Sequence, residues 1–163
     1  MAIGIIVYSR TGHTLSVAEA LQRRLSQDSH KVTLERLETV EPLQVSDTTA
    51  QLKNTPSVDA YNPLVLACPV WGGRPAPPMR AYLERLYSLE GKDVACLVTG
   101  VFPAAWGRDQ ALAQMRELCE PKGATVRALE SVWWWSLRRK RQIAAAVERL
   151  SRLADVRWQE QDG

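Results

Sequence analysis

The segment best suited to chemistry is the stretch YSRTGHT, residues 8–14, which directly follows an apolar run. It places three hydroxyl side chains, Ser9, Thr11 and Thr14, around Gly12, and residues with helical spacing come after it. A helix N-terminus offers unpaired N–H groups and a partial positive charge, and hydroxyl groups add further hydrogen bonds. The pattern predicts an anion-binding loop between a strand and a helix. An ordinary helix cap at Thr11 or Thr14 would explain the same residues.

Apolar periodicity predicts five strands that alternate with helices. The strands are predicted at Ala2–Ser9, Lys31–Leu37, Pro63–Val70, Lys92–Gly100 and Ala124–Trp135. The polar segment Glu38–Asn62 is predicted to be a loop with at most a short helix. Alternating strands and helices predict a doubly wound, three-layer α/β/α fold with a five-stranded parallel sheet, in a single domain spanning residues 1–163.

The composition is that of a globular protein, with 45% hydrophobic and 24% charged residues among 163. We find no signal peptide and no apolar run of the ~20 residues that a transmembrane helix needs, which predicts a cytoplasmic protein. Cys68, Cys96 and Cys119 lack metal-like spacing and are predicted to be reduced thiols, mostly in the core. His13 and His30 are too few and too far apart to indicate a metal site.

Ligands of such a sheet bind beyond the carboxyl ends of its strands, so the residues that follow each strand carry the functional information. After the first strand come SRTGHT, then PVWGGRPAPP after the third, TGVFPAAWGR after the fourth and SLRRKR after the fifth. The nucleotide motifs GxxxxGK(S/T) and GxGxxG are absent. No cysteine follows the first strand, which argues against a phosphatase nucleophile there.

The spacing S-x-T-G-x-T resembles the FMN-phosphate loop of the flavodoxin family. The matching positions are Ser9, Thr11, Gly12 and Thr14. The segment AYNPLVLACPVWGGRPAPPMRAYLERL resembles that family's third strand, flavin loop and following helix. The resemblance extends in order over nearly the whole chain and implies the flavodoxin-like fold, strand order 2-1-3-4-5, with one non-covalent FMN. The chain departs from the family at Asn62, where Asp is common, and at Thr99–Arg108, which lacks the usual Tyr and acidic residues.

The predicted FMN contacts follow three of the strands. They are Ser9, Arg10, Thr11, Gly12, His13, Thr14, Pro69, Val70, Trp71, Gly72, Gly73, Thr99, Gly100, Phe102 and Trp106. Trp71 is expected to stack on the flat flavin ring, with burial in the core as the alternative. The resemblance implies that Gly72 or Gly73 hydrogen-bonds the flavin N5. Phe102 and Trp106 compete for the other face of the ring, and each could instead pack against a helix.

Two further features distinguish the chain. Trp133–Trp135 are predicted to end the last strand on alternating faces and to cover the sheet edge, with a partner or dimer surface as the alternative. A basic run follows, consisting of Arg138, Arg139, Lys140 and Arg141, where the last helix should begin. It is read as a solvated face, or as a dock for an acidic redox partner or a nicotinamide nucleotide phosphate. Nucleic acid binding is not expected, because no aromatic residues interleave with the run.

These features predict an FMN-binding protein that transfers electrons through the flavin, with no side chain required as acid, base or nucleophile. The alternative is an NAD(P)H-dependent reductase of quinones or similar acceptors. We see no obvious nicotinamide-binding insertion, which favours the carrier. The net charge of +3 favours the reductase, because carriers of the resembled family are commonly acidic. A fold that has lost FMN is a third class, which the intact S-x-T-G-x-T disfavours.

Overall fold

A computed structural model describes the backbone of residues 2–162 and the side chains of residues 2–155. Its sheet is built on three strands of mostly apolar residues, whose side chains are almost all buried. They are β1 (Ala2–Val7), β3 (Tyr61–Trp71) and β5 (Asp93–Gly100). The less buried strands β2 (Val32–Arg36) and β6 (Thr125–Trp133) form the edges. The five strands are parallel, in the order β2-β1-β3-β5-β6. This confirms the predicted order 2-1-3-4-5.

A sixth strand was not predicted. The two-residue strand β4 (Arg74–Pro75) lies antiparallel to the end of β3, with Val70 opposite Pro75 and Trp71 opposite Arg74. Because β4 is numbered in chain order, the predicted fourth and fifth parallel strands are β5 and β6. The reversal between β3 and β4 occurs at a Gly-Gly pair, a sequence that supports a tight hairpin turn.

Helices cover both faces of the sheet. They are α1 (His13–Gln27), α2 (Pro77–Arg85), α3 (Arg108–Cys119) and α4 (Arg139–Asp162). One face packs against α1 and α4 through a cluster that includes Val17, Leu21 and Leu150. The other face packs against α2 and α3 through a cluster that includes Met79 and Met115. The three-layer α/β/α prediction is therefore confirmed.

The connection from β2 to β3 crosses the sheet without a helix. Within the described chain, residues 38–60 contain no helical segment, so the short helix considered for Glu38–Asn62 does not form. One isolated antiparallel bridge joins Thr39 to Leu52, and the Asn54 side chain satisfies backbone groups at Arg36 and Glu38. The Asn54 side chain thus supplies hydrogen bonds to backbone groups that a helix or strand would otherwise satisfy.

The predicted bounds of the last strand were wrong at its carboxyl end. Strand β6 ends at Trp133, so Trp134 and Trp135 lie in the turn that leads to α4 and do not alternate across the sheet. Cys68, Cys96 and Cys119 are free and buried, as predicted, and burial raises the pKa of Cys68 to about 12. No helix in the described part of the chain has the length and hydropathy needed to cross a membrane.

Candidate functional site

A cavity of about 210 Å³ opens beyond the carboxyl ends of β1, β3 and β5. The strand order reverses here, because β2 lies on one side of β1 and the later strands lie on the other. Open parallel sheets bind their ligands at such a switch point. The cavity therefore lies where the sequence predicts a site.

The structure brings most of the predicted contacts together at this cavity. Those that line it are Ser9, Arg10, Thr11, His13, Thr14, Pro69, Val70, Trp71, Thr99 and Gly100. Three lining residues were not predicted, namely Val45, Val101 and Trp134. Gly12, Gly72, Gly73, Phe102 and Trp106 do not line it.

The loop between β1 and α1 leaves the helix N-terminus open. Gly12 has φ +94°, a conformation that glycine adopts readily, and its N–H donates to the Ser9 hydroxyl at 3.1 Å. No side chain caps α1, so the interpretation of Thr11 or Thr14 as an ordinary cap is wrong. The N–H groups of the first turn consequently remain without a side-chain partner beside the cavity.

The Thr14 hydroxyl has a different partner. Its Oγ1 lies 2.7 Å from Oγ1 of Thr99, at the end of β5, and both side chains are buried. This hydrogen bond joins the first turn of α1 to β5, which lies two positions from β1 in the sheet. It fixes the spacing between the floor of the cavity and the start of α1.

A tight turn follows β3 on the other side of the cavity. Gly72 and Gly73 have φ +60° and φ +74°, the pair of positive values that a type I′ hairpin turn requires. The turn packs against Gly107, just before α3, where an added Cβ would lie 2.9 Å from the Gly73 Cα. Close backbone contact thus holds the turn in place.

Trp71, the last residue of β3, belongs both to the core and to the cavity wall. It is 9% exposed and packs edge-to-face with Tyr8, with ring centroids 5.7 Å apart at 80°. Its remaining exposed surface faces the cavity. Its predicted stacking on a flavin stays a prediction.

Trp134 is the aromatic residue among the three lining residues that were not predicted. Its backbone N–H donates to the Gly100 carbonyl at 2.7 Å, which is the last hydrogen bond between β5 and the end of β6. The His13 ring stacks on the indole at a centroid distance of 4.1 Å and an angle of 12°. The Arg139 guanidinium lies 4.6 Å from the centroid of the same ring. The position of Trp134 directly after a strand could have indicated a cavity residue, because ligands bind beyond the carboxyl ends of the strands.

Two cationic groups near the cavity have shifted pKa values. Burial lowers the pKa of His13, and the charge of Arg139 lowers it further. Burial also lowers the pKa of Arg108, whose guanidinium donates to the Phe102 carbonyl and to the Ser131 hydroxyl. Arg108 packs so closely on Gly100 that an added Cβ there would lie 3.0 Å from the Arg108 Cγ. A buried cation therefore stands behind the end of β5.

Phe102 and Trp106 project to the surface outside the cavity. They are 53% and 71% exposed, and their ring centroids are 6.2 Å apart. Phe102 also contacts Trp135 edge-to-face at 6.1 Å. In this arrangement the three rings form a surface cluster beside the cavity mouth.

Comparisons with solved structures find similar folds over 80% to 95% of this chain. A flavoprotein of Lactobacillus acidophilus NCFM in complex with FMN is 19% identical, with a TM-score of 0.63 over 80% of this chain and 92% of that one. Oxidised flavodoxin 2 of Bacillus cereus is 22% identical, with a TM-score of 0.62 over 90% and 95%. The general stress protein 14 of Treponema denticola in complex with FMN is 16% identical, with a TM-score of 0.65 over 95% and 99%. No family profile matches the chain, and no curated protein matches it.

Proposed function

We propose that this chain, which has the flavodoxin-like fold, binds one FMN non-covalently in the cavity described above and transfers electrons through it. The observation that carries the proposal is the uncapped N-terminus of α1 beside an aromatic-walled cavity at the switch point of the sheet. FMN joins an anionic phosphate to a flat ring with apolar faces and a polar edge, and the cavity offers a surface that suits the phosphate and a surface that suits the ring faces.

The phosphate half fits the first loop. The N-terminus of α1 presents N–H groups and the positive end of the helix dipole, which favour an anion. The hydroxyls of Ser9 and Thr11 line the same space. Because Gly12 has open space where a side chain would begin, a ligand can approach the backbone closely. Thr14 positions the start of α1 and does not contact the phosphate through its hydroxyl, because that hydroxyl is hydrogen-bonded to Thr99.

The ring half fits the apolar part of the cavity. Aromatic rings bind flat ligands by offset stacking or edge contacts, and Trp71 and Trp134 both face this space. Val70 and Val101 add aliphatic contacts. The Gly72–Gly73 turn directly follows Trp71, and its backbone polar groups are the proposed partners of the ring edge.

FMN, when bound, supplies the electron chemistry. The residues of the chain bind the phosphate, orient the ring and exclude water from part of it. Two of the similar structures, the flavoprotein of L. acidophilus and general stress protein 14 of T. denticola, are complexes with FMN. Those complexes support the choice of cofactor.

The second candidate is an NAD(P)H-dependent reductase. The observation that favours it is the cleft beside Trp134, which the basic residues Arg138–Arg141 line, because a nucleotide phosphate would be attracted there. The carrier remains our proposal, since the part of the chain that the structure describes forms one α/β/α unit with no added nicotinamide-binding segment.

Purification followed by a visible spectrum tests cofactor binding. We expect flavin absorbance in the purified protein or after reconstitution with FMN. NADPH and NADH are then added without air. Slow bleaching, far below enzymatic turnover, is expected for a carrier, whereas rapid bleaching with either nucleotide would assign the reductase activity. A protein that takes up no FMN on reconstitution would contradict the proposal.

A further inference from the structure

Exposed aromatic side chains cluster at the mouth of the cavity. The aromatic patch, defined as Phe102, Trp106 and Trp135, consists of residues that are 53%, 71% and 66% exposed, and the Phe102 ring centroid lies 6.2 Å from that of Trp106 and 6.1 Å from that of Trp135. Leu137 is fully exposed next to it. Isolated apolar residues on a surface are ordinary, but a contiguous group of large rings is typical of an interaction site.

A group of unneutralised cations borders the patch. The basic segment, Arg138–Arg141, spans the start of α4, which has no acidic residue in its first turn. Among the described side chains, none of its four cations forms a salt bridge. Cations at a helix N-terminus oppose the helix dipole, so this arrangement is unfavourable in the free protein.

Other arginines of the same helix are neutralised. Arg149 forms a bidentate ion pair with Glu130, with nitrogen–oxygen distances of 2.6 and 2.7 Å. Arg152 pairs with Glu148 at 3.2 Å. The helix therefore leaves its cations unpaired only at the end beside the aromatic patch, within the described part of α4.

The patch and the basic segment are continuous with the proposed flavin cavity. Trp134 lines both the cavity and the cleft of the basic segment. The indole N–H of Trp133 donates to the Val101 carbonyl at 2.9 Å, which ties the turn before α4 to the loop after β5. A protein seated on this surface would therefore lie against the cavity mouth.

We propose that the aromatic patch and the basic segment together form the docking surface for an acidic redox protein that exchanges electrons with the flavin. This inference rests on the proposed function for the electron transfer, whereas the docking itself does not require flavin. The rings supply the desolvated centre of the interface, and the cations steer and orient an acidic partner. In a two-fold dimer formed through the same surface, the basic segments of the two copies would face each other. Repulsion between like charges therefore disfavours a second copy of this chain as the partner.

Calorimetric titration with an acidic plant-type ferredoxin tests the docking. Binding is measured at about 20 mM and about 300 mM salt, because exposed charges are screened beyond a Debye length of about 10 Å at 0.1 M. We expect binding at low salt that weakens about tenfold or more at high salt, and no binding of basic cytochrome c. In stopped flow without air, one electron passes from the reduced two-iron cluster to the flavin, and its rate should follow the same salt dependence.

Matched variants locate the surface. R138Q/K140Q/R141Q removes three charges from the basic segment and keeps Arg139, which packs on Trp134. R23Q/K31Q/R85Q removes three exposed charges elsewhere and gives the same net charge. The first variant should lower ferredoxin affinity about tenfold at low salt, and the second should have little effect. W135S/L137S should weaken binding at both salt concentrations, because the contacts that it removes are apolar.

The outcomes separate the alternatives. Equal losses in the two charge variants would overturn the docking surface, since only net charge would then matter. A dimer in gel filtration that W135S/L137S converts to monomer would assign the patch to a second copy and overturn the proposal. Tighter binding of a single-stranded oligonucleotide than of ferredoxin would overturn it in favour of nucleic acid. Absent flavin absorbance would contradict the proposed function alone, because the calorimetric result stands without flavin.

Discussion

The hydroxyl groups of Thr14 and Thr99 share a buried hydrogen bond of 2.7 Å, although 85 positions separate the two residues. One belongs to the first turn of α1 and the other to the last residues of β5. Because the two residues are only 1% and 2% exposed, water does not replace a lost partner easily. The bond thus contributes to a preformed cavity in which the first loop and the sheet keep a fixed distance.

We predict strong coupling between these two threonines. Thr14→Val or Thr99→Val leaves one buried hydroxyl unpaired and should cost about 1–3 kcal/mol of unfolding free energy in the apo-protein. The double variant should cost clearly less than the sum of the two, because it removes both polar groups. Urea unfolding of the four proteins measures the cycle, and strict additivity would mean that the hydrogen bond contributes nothing specific.

We predict that Gly107 tolerates substitution less well than Gly91, another glycine with positive φ. Gly107 and Gly91 both have positive φ, at +142° and +75°, so Ala strains the backbone at either position. Only Gly107 lies against another backbone, at 2.9 Å from an added Cβ to the Gly73 Cα, whereas Gly91 faces open space.

Gly107→Ala should therefore destabilise the protein by about 1–3 kcal/mol more than Gly91→Ala, the usual range for overpacking. It should also weaken FMN binding, because the Gly72–Gly73 turn must move. Thermal unfolding and FMN titration of the two variants make the comparison. Equal effects on both readouts would show that the turn does not depend on this contact.

We predict that Trp71 both stabilises the core and contributes to FMN binding. Because it is 9% exposed and packs on Tyr8, Trp71→Ala should destabilise the apo-protein by about 3–5 kcal/mol. The more conservative Trp71→Phe should preserve folding while it weakens FMN binding and reduces the quenching of tryptophan fluorescence by FMN. Trp135→Phe, at the exposed surface, is the control. Unchanged FMN affinity in Trp71→Phe would assign this residue to the core alone.

We predict an acid-sensitive component of stability from His13. Its folded pKa is lowered by burial and by Arg139, so the unfolded chain, with a His pKa near 6.5, binds the proton more readily. The apo-protein should thus lose stability as pH falls through about 6.5 toward the lower folded pKa, and the loss should level off below it. His13→Gln should lack this component and His30→Gln should retain it, as pH-dependent urea unfolding would show. Identical profiles for wild type and His13→Gln would contradict the assignment.

The sheet could be predicted because its strands are short apolar runs separated by helical periodicity, a pattern that leaves few alternative topologies. The strand order came from the resemblance of YSRTGHT and VWGG to known loops. The glycine pair of the β3–β4 turn was also informative, since two adjacent glycines permit positive φ at both positions.

The remaining features depend on contacts between distant residues. Tryptophan has high strand propensity, so Trp133–Trp135 were predicted to continue the strand. The chain instead turns after Trp133, whose carbonyl accepts a hydrogen bond from the Ser136 N–H at 3.1 Å. No local pattern indicates that His13 and Arg139 would both lie against Trp134. The hydrogen bond of Thr14 to Thr99 is equally invisible in sequence, because 85 positions separate the two threonines.

The most direct test of the central claim compares the affinities of the apo-protein for FMN and for riboflavin, which lacks the phosphate, in wild type, Thr11→Ala and Thr125→Ala. Thr125 is an exposed threonine at the opposite end of the sheet. We predict that wild type binds FMN about 100-fold or more tightly than riboflavin, as expected for two or more charge-assisted hydrogen bonds. Thr11→Ala should weaken FMN binding by about 1–3 kcal/mol without affecting riboflavin, and Thr125→Ala should change neither. Equal affinities of wild type for FMN and riboflavin would contradict the assignment of the phosphate to the loop of residues 9–14.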